Sequence, residues 1–273
     1  MSILLLGICA SCEPTYPART LTRQLTKLIK EEENLDVTCH TTGKTLWVYV
    51  PLKDLIDEKN TTWNTKGLEE INKVLSIVHR VILSTDAKLN FLVIDGVDVR
   101  KYGLELKVIE YLPDIREAIF EKFSRGEFFM RSIRDVGVNP GLVNDLTGES
   151  QHFFDITFDQ FLALQIIHRL KSLFLKDKVL SKIFEIKSSS WSEKFGIIKI
   201  DLEFLKKKYD LTPEEEKIKP IDYAKMVAAF VVTNYNYQNF QVIEITDTFA
   251  AETIKLTFAD LKKVKINLPE FLD

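Results

Sequence analysis

Residues 36–52 read DVTCHTTGKTLWVYVPL, and the fold turns on this stretch. Val37, Cys39 and Thr41 alternate with polar neighbours, Thr42-Gly43 supplies a turn, and Leu46, Val48 and Val50 alternate again. Period-two alternation on both sides of a Gly turn predicts a β-hairpin with one buried face. Its outward face carries Trp47 and Tyr49, which read either as a binding surface or as a face covered by another element.

The elements around the hairpin extend the pattern. Upstream, Leu21, Leu25, Leu28 and Ile29 fall on one face of a helix from about Ala18 to Glu32. Downstream, Asn64 or Thr65 caps a second helix whose stripe is Leu68, Ile71, Leu75, Val78 and Ile82. A second hairpin joins 89–99 to 104–111, and 112–136 reads as two shorter helices. Gly137 to Ser150, rich in Gly, Asn and Pro, marks a boundary, and Phe153 to Ile156 reads as an added strand. Beyond it, Thr157 begins a capping box for a helix to about Phe174 that is apolar almost all round. A hairpin (182–189 and 195–204), a helix (221–233) and a last hairpin (240–245 and 253–258) complete the chain.

These elements predict an α+β fold built as two tandem helix–hairpin–helix–hairpin halves, an internal repeat in weak sequence. Each half is a mostly antiparallel sheet with helices packed on one face, at 13–136 and 152–273, joined by a linker at 137–151. A single larger sheet shared by both halves is the rival arrangement.

Hydrophobic residues make up 45% and charged residues 28% of the 273, a balance that excludes a disordered chain. The net charge of −3 divides as 19 basic against 22 acidic residues up to Ser150 and 18 against 18 beyond it. With no basic excess in either part, a nucleic-acid partner is not expected. Three cysteines (Cys9, Cys12 and Cys39) are too few for a disulfide-built scaffold.

Residues 1–12, MSILLLGICASC, form an apolar run ending in Ala10-Ser11-Cys12 before the polar EPTYP. The segment resembles the export signal of bacterial lipoproteins, although no Lys or Arg precedes the run and Cys9 stands where Leu is usual. The resemblance implies that 1–11 are a signal peptide and that the Cys12 thiol receives a lipid, anchoring the chain in the cell envelope beside a protein partner. The run is too short to span a bilayer. The other reading is a buried first strand in a cytoplasmic protein.

Signatures of chemistry are missing. His40, His79, His152 and His168 have no further ligand at metal-binding spacing apart from Cys39-His40, whose side chains point to opposite faces of a strand. There is no Gly-rich phosphate loop, nucleophile elbow or Ser-x-x-Lys pair. No catalytic residue, metal ligand or cofactor is therefore assigned. Asp95 and Asp98 form a carboxylate pair that reads as a turn or bulge. Tyr235 and Tyr237 in YNYQN read as an adaptable binding loop, or as a plain connection. The resulting expectation is a non-enzymatic envelope lipoprotein acting as a binding or scaffold module, with no ligand or oligomeric state specified. A cytoplasmic interaction module and an enzyme with a site assembled from distant residues are the alternatives.

Overall fold

A computed structural model describes residues 15–57 and 62–268. Cys12 and the rest of the lipoprotein-like segment lie outside the described residues.

The fold is α+β. The chain runs α1 (Leu21–Glu33), β1 (Thr38–Thr42), β2 (Thr45–Leu52), β3 (Ile56–Asp57), β4 (Thr62–Trp63) and α2 (Thr65–Ile82). Next come β5 (Phe91–Asp98), β6 (Leu104–Tyr111), α3 (Leu112–Ile119), α4 (Arg125–Arg131) and β7 (Ile133–Val138). The remainder is α5 (Phe158–Lys176), α6 (Leu180–Ile183), β8 (Phe184–Lys194), β9 (Ile197–Lys206), α7 (Pro220–Tyr235), β10 (Val242–Asp247), β11 (Glu252–Leu256) and α8 (Phe258–Leu261).

Two compact units emerge, and they do not meet at a single linker. The first takes residues up to Asn90, 94–105 and 138–153; the second takes 91–93, 106–137 and 154 onward. The expected linker 137–151 thus belongs almost wholly to the first unit, and 106–136 to the second. A five-stranded sheet has the order β1-β2-β5-β6-β7, a four-stranded sheet the order β11-β10-β9-β8, and β3 pairs with β4.

In the first unit the β1–β2 hairpin pairs Thr42 with Thr45 around Gly43, whose φ of 57° suits the first central position of a tight hairpin turn. α1 buries Leu21, Leu25 and Ile29 and ends at Asn34 in the left-handed conformation (φ 55°). The Asn64 side chain caps α2 by accepting from the Lys66 N–H, as expected. At the start of the described chain, Tyr16 forms a parallel bridge with Thr85, and the Ala18 N–H donates to Asp86 at 2.6 Å.

In the second unit β8–β9 and β10–β11 are antiparallel hairpins, while β9 and β10 are parallel. Helix α7 connects β9 to β10, and a crossover of that length returns the chain parallel to where it began. The β8–β9 turn uses Phe195 and Gly196, both at positive φ (55° and 75°). The core gathers Leu162, Ile166, Leu170 and Leu173 of α5, Ala224, Ala228 and Ala229 of α7, and Ile198, Ile200 and Leu202 of β9. Residues 133–138 are a strand, not the expected helical turn. Phe129 and Ile133 have helical spacing, but α4 ends at Arg131 and Ser132 is already extended. Residues 153–156 form no strand.

Candidate functional site

A groove of about 700 Å³ lies in the first unit between α1 and the chain leading into β1. Thr22, Arg23, Thr26, Lys27 and Lys30 form one wall, and residues 35–39 the other. Because Leu21, Leu25 and Ile29 face the core, this neighbouring face of α1 is turned to the groove. At its floor the Cys39 thiol lies against the Thr26 hydroxyl. Burial pushes its pKa up to about 11, with the Thr26 hydrogen bond pulling weakly the other way. A thiol held neutral in this way is neither a ready nucleophile nor a ready metal ligand. Lys27 pairs with Glu31 at 3.5 Å and Lys30 with Asp36 at 2.8 Å.

Among the described residues strand β1 is an unpaired edge of its sheet, beside this groove. A two-residue turn closing on Thr42–Thr45 puts the hydrogen-bonded pairs at His40–Trp47 and Thr38–Tyr49. The main-chain N–H and C=O groups of Cys39 and Thr41 therefore face outward. Natural edges are usually guarded by charges, prolines or bulges. Edge strand β7 carries Arg134 and Asp135, and β11 carries Glu252 and Lys255. Edge strand β8 carries Glu185, Lys187, Glu193 and Lys194, with a bulge between Ile186 and Ser188. β1, with sequence TCHTT, has none of these devices.

Of the two readings of Trp47 and Tyr49, a binding surface or a covered face, the covered face is the one observed. Trp47 and Tyr49 are 1% and 0% exposed. The loop 139–153 covers them: Phe153 packs edge-on to Trp47 and stacks on His40, and Leu142 joins Tyr49. The Tyr49 hydroxyl donates to the Asp145 carbonyl at 2.6 Å. Burial, then the charges of Asp145, Asp95 and Glu105, raises its pKa. The Asp145 carboxylate fastens the same loop by accepting the N–H groups of Thr147, Gly148, Glu149 and Ser150. Burial opposes its ionisation, but these donors prevail and its pKa falls below the usual carboxylate value.

Asp95 and Asp98 play separate parts. The Gln151 amide donates to Asp95 and, at 2.8 Å, to Glu105. Asp98 accepts from Leu55 N–H at 3.0 Å and from the N–H groups of Arg100 and Lys101, closing the turn after β5.

In the second unit Tyr235 ends α7 and Tyr237 lies in the connection to β10, and both are half-buried packing residues. Tyr235 donates to Asp114 at 2.6 Å, and its ring meets Tyr111, Phe158 and Phe161. Burial, then Asp114, raises its pKa well above the ordinary tyrosine value. Tyr237 packs on Phe158 and Phe240.

Behind Tyr235 lies an ionic network that sequence reading missed. Arg131 reaches Asp114 at 2.8 Å and Glu127 at 2.6 Å, and Arg169 grips both Glu127 oxygens at 2.7 and 2.9 Å. Arg131 also lies over the Phe123 ring at 4.3 Å. Burial raises the Asp114 pKa, with Tyr235 and Arg131 partly offsetting it. The signal was Arg169 itself, since a charge set among Ile166, Leu170 and Leu173 of α5 requires a buried partner.

Among the described residues no group of three or more His, Cys, Asp or Glu is placed to hold a metal ion, and no helix is long and apolar enough to cross a membrane. No protein-family model matches the chain, and neither a curated protein nor a solved structure matches it.

Proposed function

We propose that this chain is a non-enzymatic binding module that takes up an extended segment of a protein partner along β1, held at a bacterial envelope by a lipid on Cys12. The observation that carries the binding reading is the unguarded β1 edge beside the α1 groove. An incoming strand would complete the outward hydrogen bonds of Cys39 and Thr41 and lie against α1, the geometry of strand addition. Against an enzymatic reading stands the use made of the buried polar groups. Asp114, Glu127, Arg131 and Arg169 answer one another, and Asp95 and Glu105 share Gln151. The envelope location rests on the resemblance of Met1–Cys12 alone, and a cytoplasmic module would use the same edge.

A photo-reactive amino acid placed at exposed Thr41, and separately at exposed Lys187 on guarded strand β8, tests the binding reading in the native cell. A partner cross-linked from position 41 and not from 187 supports it, and equal patterns from both edges overturn it. The intact mass of the native chain tests the location. A lipid-bearing chain starting at Cys12 supports envelope anchoring, and an unmodified chain retaining 1–11 overturns it.

A further inference from the structure

The α1 wall of the groove limits what can lie in it. Its rim carries three cations, Arg23, Lys27 and Lys30, against two acids, Glu31 and Asp36. The Lys27 and Lys30 pairs are solvent-exposed, and exposed pairs are weak and exchange readily with other carboxylates. Arg23 has no ion pair or hydrogen-bonding side-chain partner among the described residues.

Spacing adds to sign. Arg23 and Lys27 are four helical residues apart, about 6 Å along the axis. Every second residue of an extended strand repeats at about 6.7 Å. One face of an added strand therefore presents alternate side chains at nearly the interval at which α1 presents its cations.

From this we infer that the segment bound along β1 is an acidic strand, with Asp or Glu at alternate positions facing Arg23 and Lys27. The inference rests on the strand-addition reading and names the chemistry of the occupant. A second copy of this chain fits less well. Pairing β1 with its own equivalent about a two-fold axis sets both α1 helices on the same side of the joined sheet. That brings together two rims of the same net positive sign, three cations against two acids in each, and TCHTT adds no carboxylate.

The test uses the full chain and three fluorescein-labelled decapeptides in which Val alternates with Glu, Ser or Lys. Anisotropy reads affinity, and amide hydrogen exchange reads protection at Cys39 and Thr41. The Val-Glu peptide is expected to bind at least tenfold more tightly than Val-Lys and to protect both amides. Arg23→Glu is expected to weaken Val-Glu binding about fivefold, the scale of one exposed ion pair. Thr41→Pro, which removes an outward donor and leaves the β2 pairing intact, is expected to abolish binding of every peptide. Equal binding of Val-Glu and Val-Ser with both amides protected overturns the acidic preference and leaves strand addition standing. Absence of protection with all three peptides overturns both. A peptide-free dimer with Cys39 and Thr41 already protected makes a second copy the occupant and overturns the inference.

Discussion

In the second unit the four-stranded sheet keeps one face for the core and gives the other to water, whereas in the first unit strand β2 shows water on neither side. Along β9, Ile198, Ile200, Leu202 and Phe204 are buried while Lys199 is exposed and Asp201 and Glu203 are half-buried. Along β2, Leu46, Trp47, Val48, Tyr49 and Val50 are all buried. One helical layer suffices for a sheet that alternates. Covering the second face of β2 takes the loop 139–153, fastened by Asp145 and closed over Tyr49 at Gly148, where φ is 77° and a Cβ would come within 3.0 Å of the ring.

The contrast breaks if matched substitutions cost the same in both places. Trp47→Ala is expected to destabilise the first unit by about 3–5 kcal/mol, whereas Lys199→Ala should stay within about 0.5 kcal/mol. Urea denaturation followed by amide exchange in β2 and β9 separates the two. Glu127→Ala removes the carboxylate that Arg131 and Arg169 share in the interior of the second unit, leaving Arg131 with Asp114, and should cost about 3 kcal/mol. An effect below about 1 kcal/mol would mean that water reaches the pair.

A pH titration sharpens the comparison further. Burial first, then Arg134, Arg169 and nearby lysines, lowers the His168 pKa from 6.5 to about 4. The folded second unit therefore keeps this imidazole neutral where the unfolded chain takes up a proton. Its stability is full above about pH 6.5 and falls as pH drops toward 4, by on the order of 2 kcal/mol. His168→Phe should flatten that slope in the second unit, as read by the denaturation midpoint between pH 7 and 4.5. Smallest of all, Tyr49→Phe removes only the hydrogen bond to Asp145 and should cost the first unit about 1 kcal/mol. The readout is faster exchange in residues 145–150 without loss of the sheet.

The four hairpin patterns and the α1 and α2 stripes were legible because each repeats its period several times, and α5 was legible from its capping box and apolar content. The covering of Trp47 and Tyr49 was less so. Alternation in β1 pointed to one buried face, but five consecutive apolar residues in β2 carry the opposite message, that of a strand buried on both sides. The loop that does the covering is far away in sequence, and its Gly-Asn-Pro composition advertises turns, not what the turns enclose. Strand β7 escaped because a short apolar pair at i and i+4 is shared by helices and strands. Arg169 signalled that a buried partner existed but not which one, because the members of the ionic network come from α3, α4 and α5 and no local spacing ties Asp114 to Arg169. The groove was hidden for a different reason. An edge strand is defined by which neighbours it lacks, and a sequence does not state strand order.

One small contact near the start of the described chain bears on everything proposed for Cys12. Tyr16 is bound to the Ser84–Thr85 backbone, with its N–H 3.3 Å from the Ser84 carbonyl, and Ala18 is held by Asp86. Only four peptide steps separate Cys12 from that clamp, a leash of at most about 14 Å. Under the proposed acylation the first unit could not drift on a long tether. It would ride close to the headgroups with its Ser84–Asp86 corner toward them, and any strand it captures would have to approach within a molecular diameter of the bilayer.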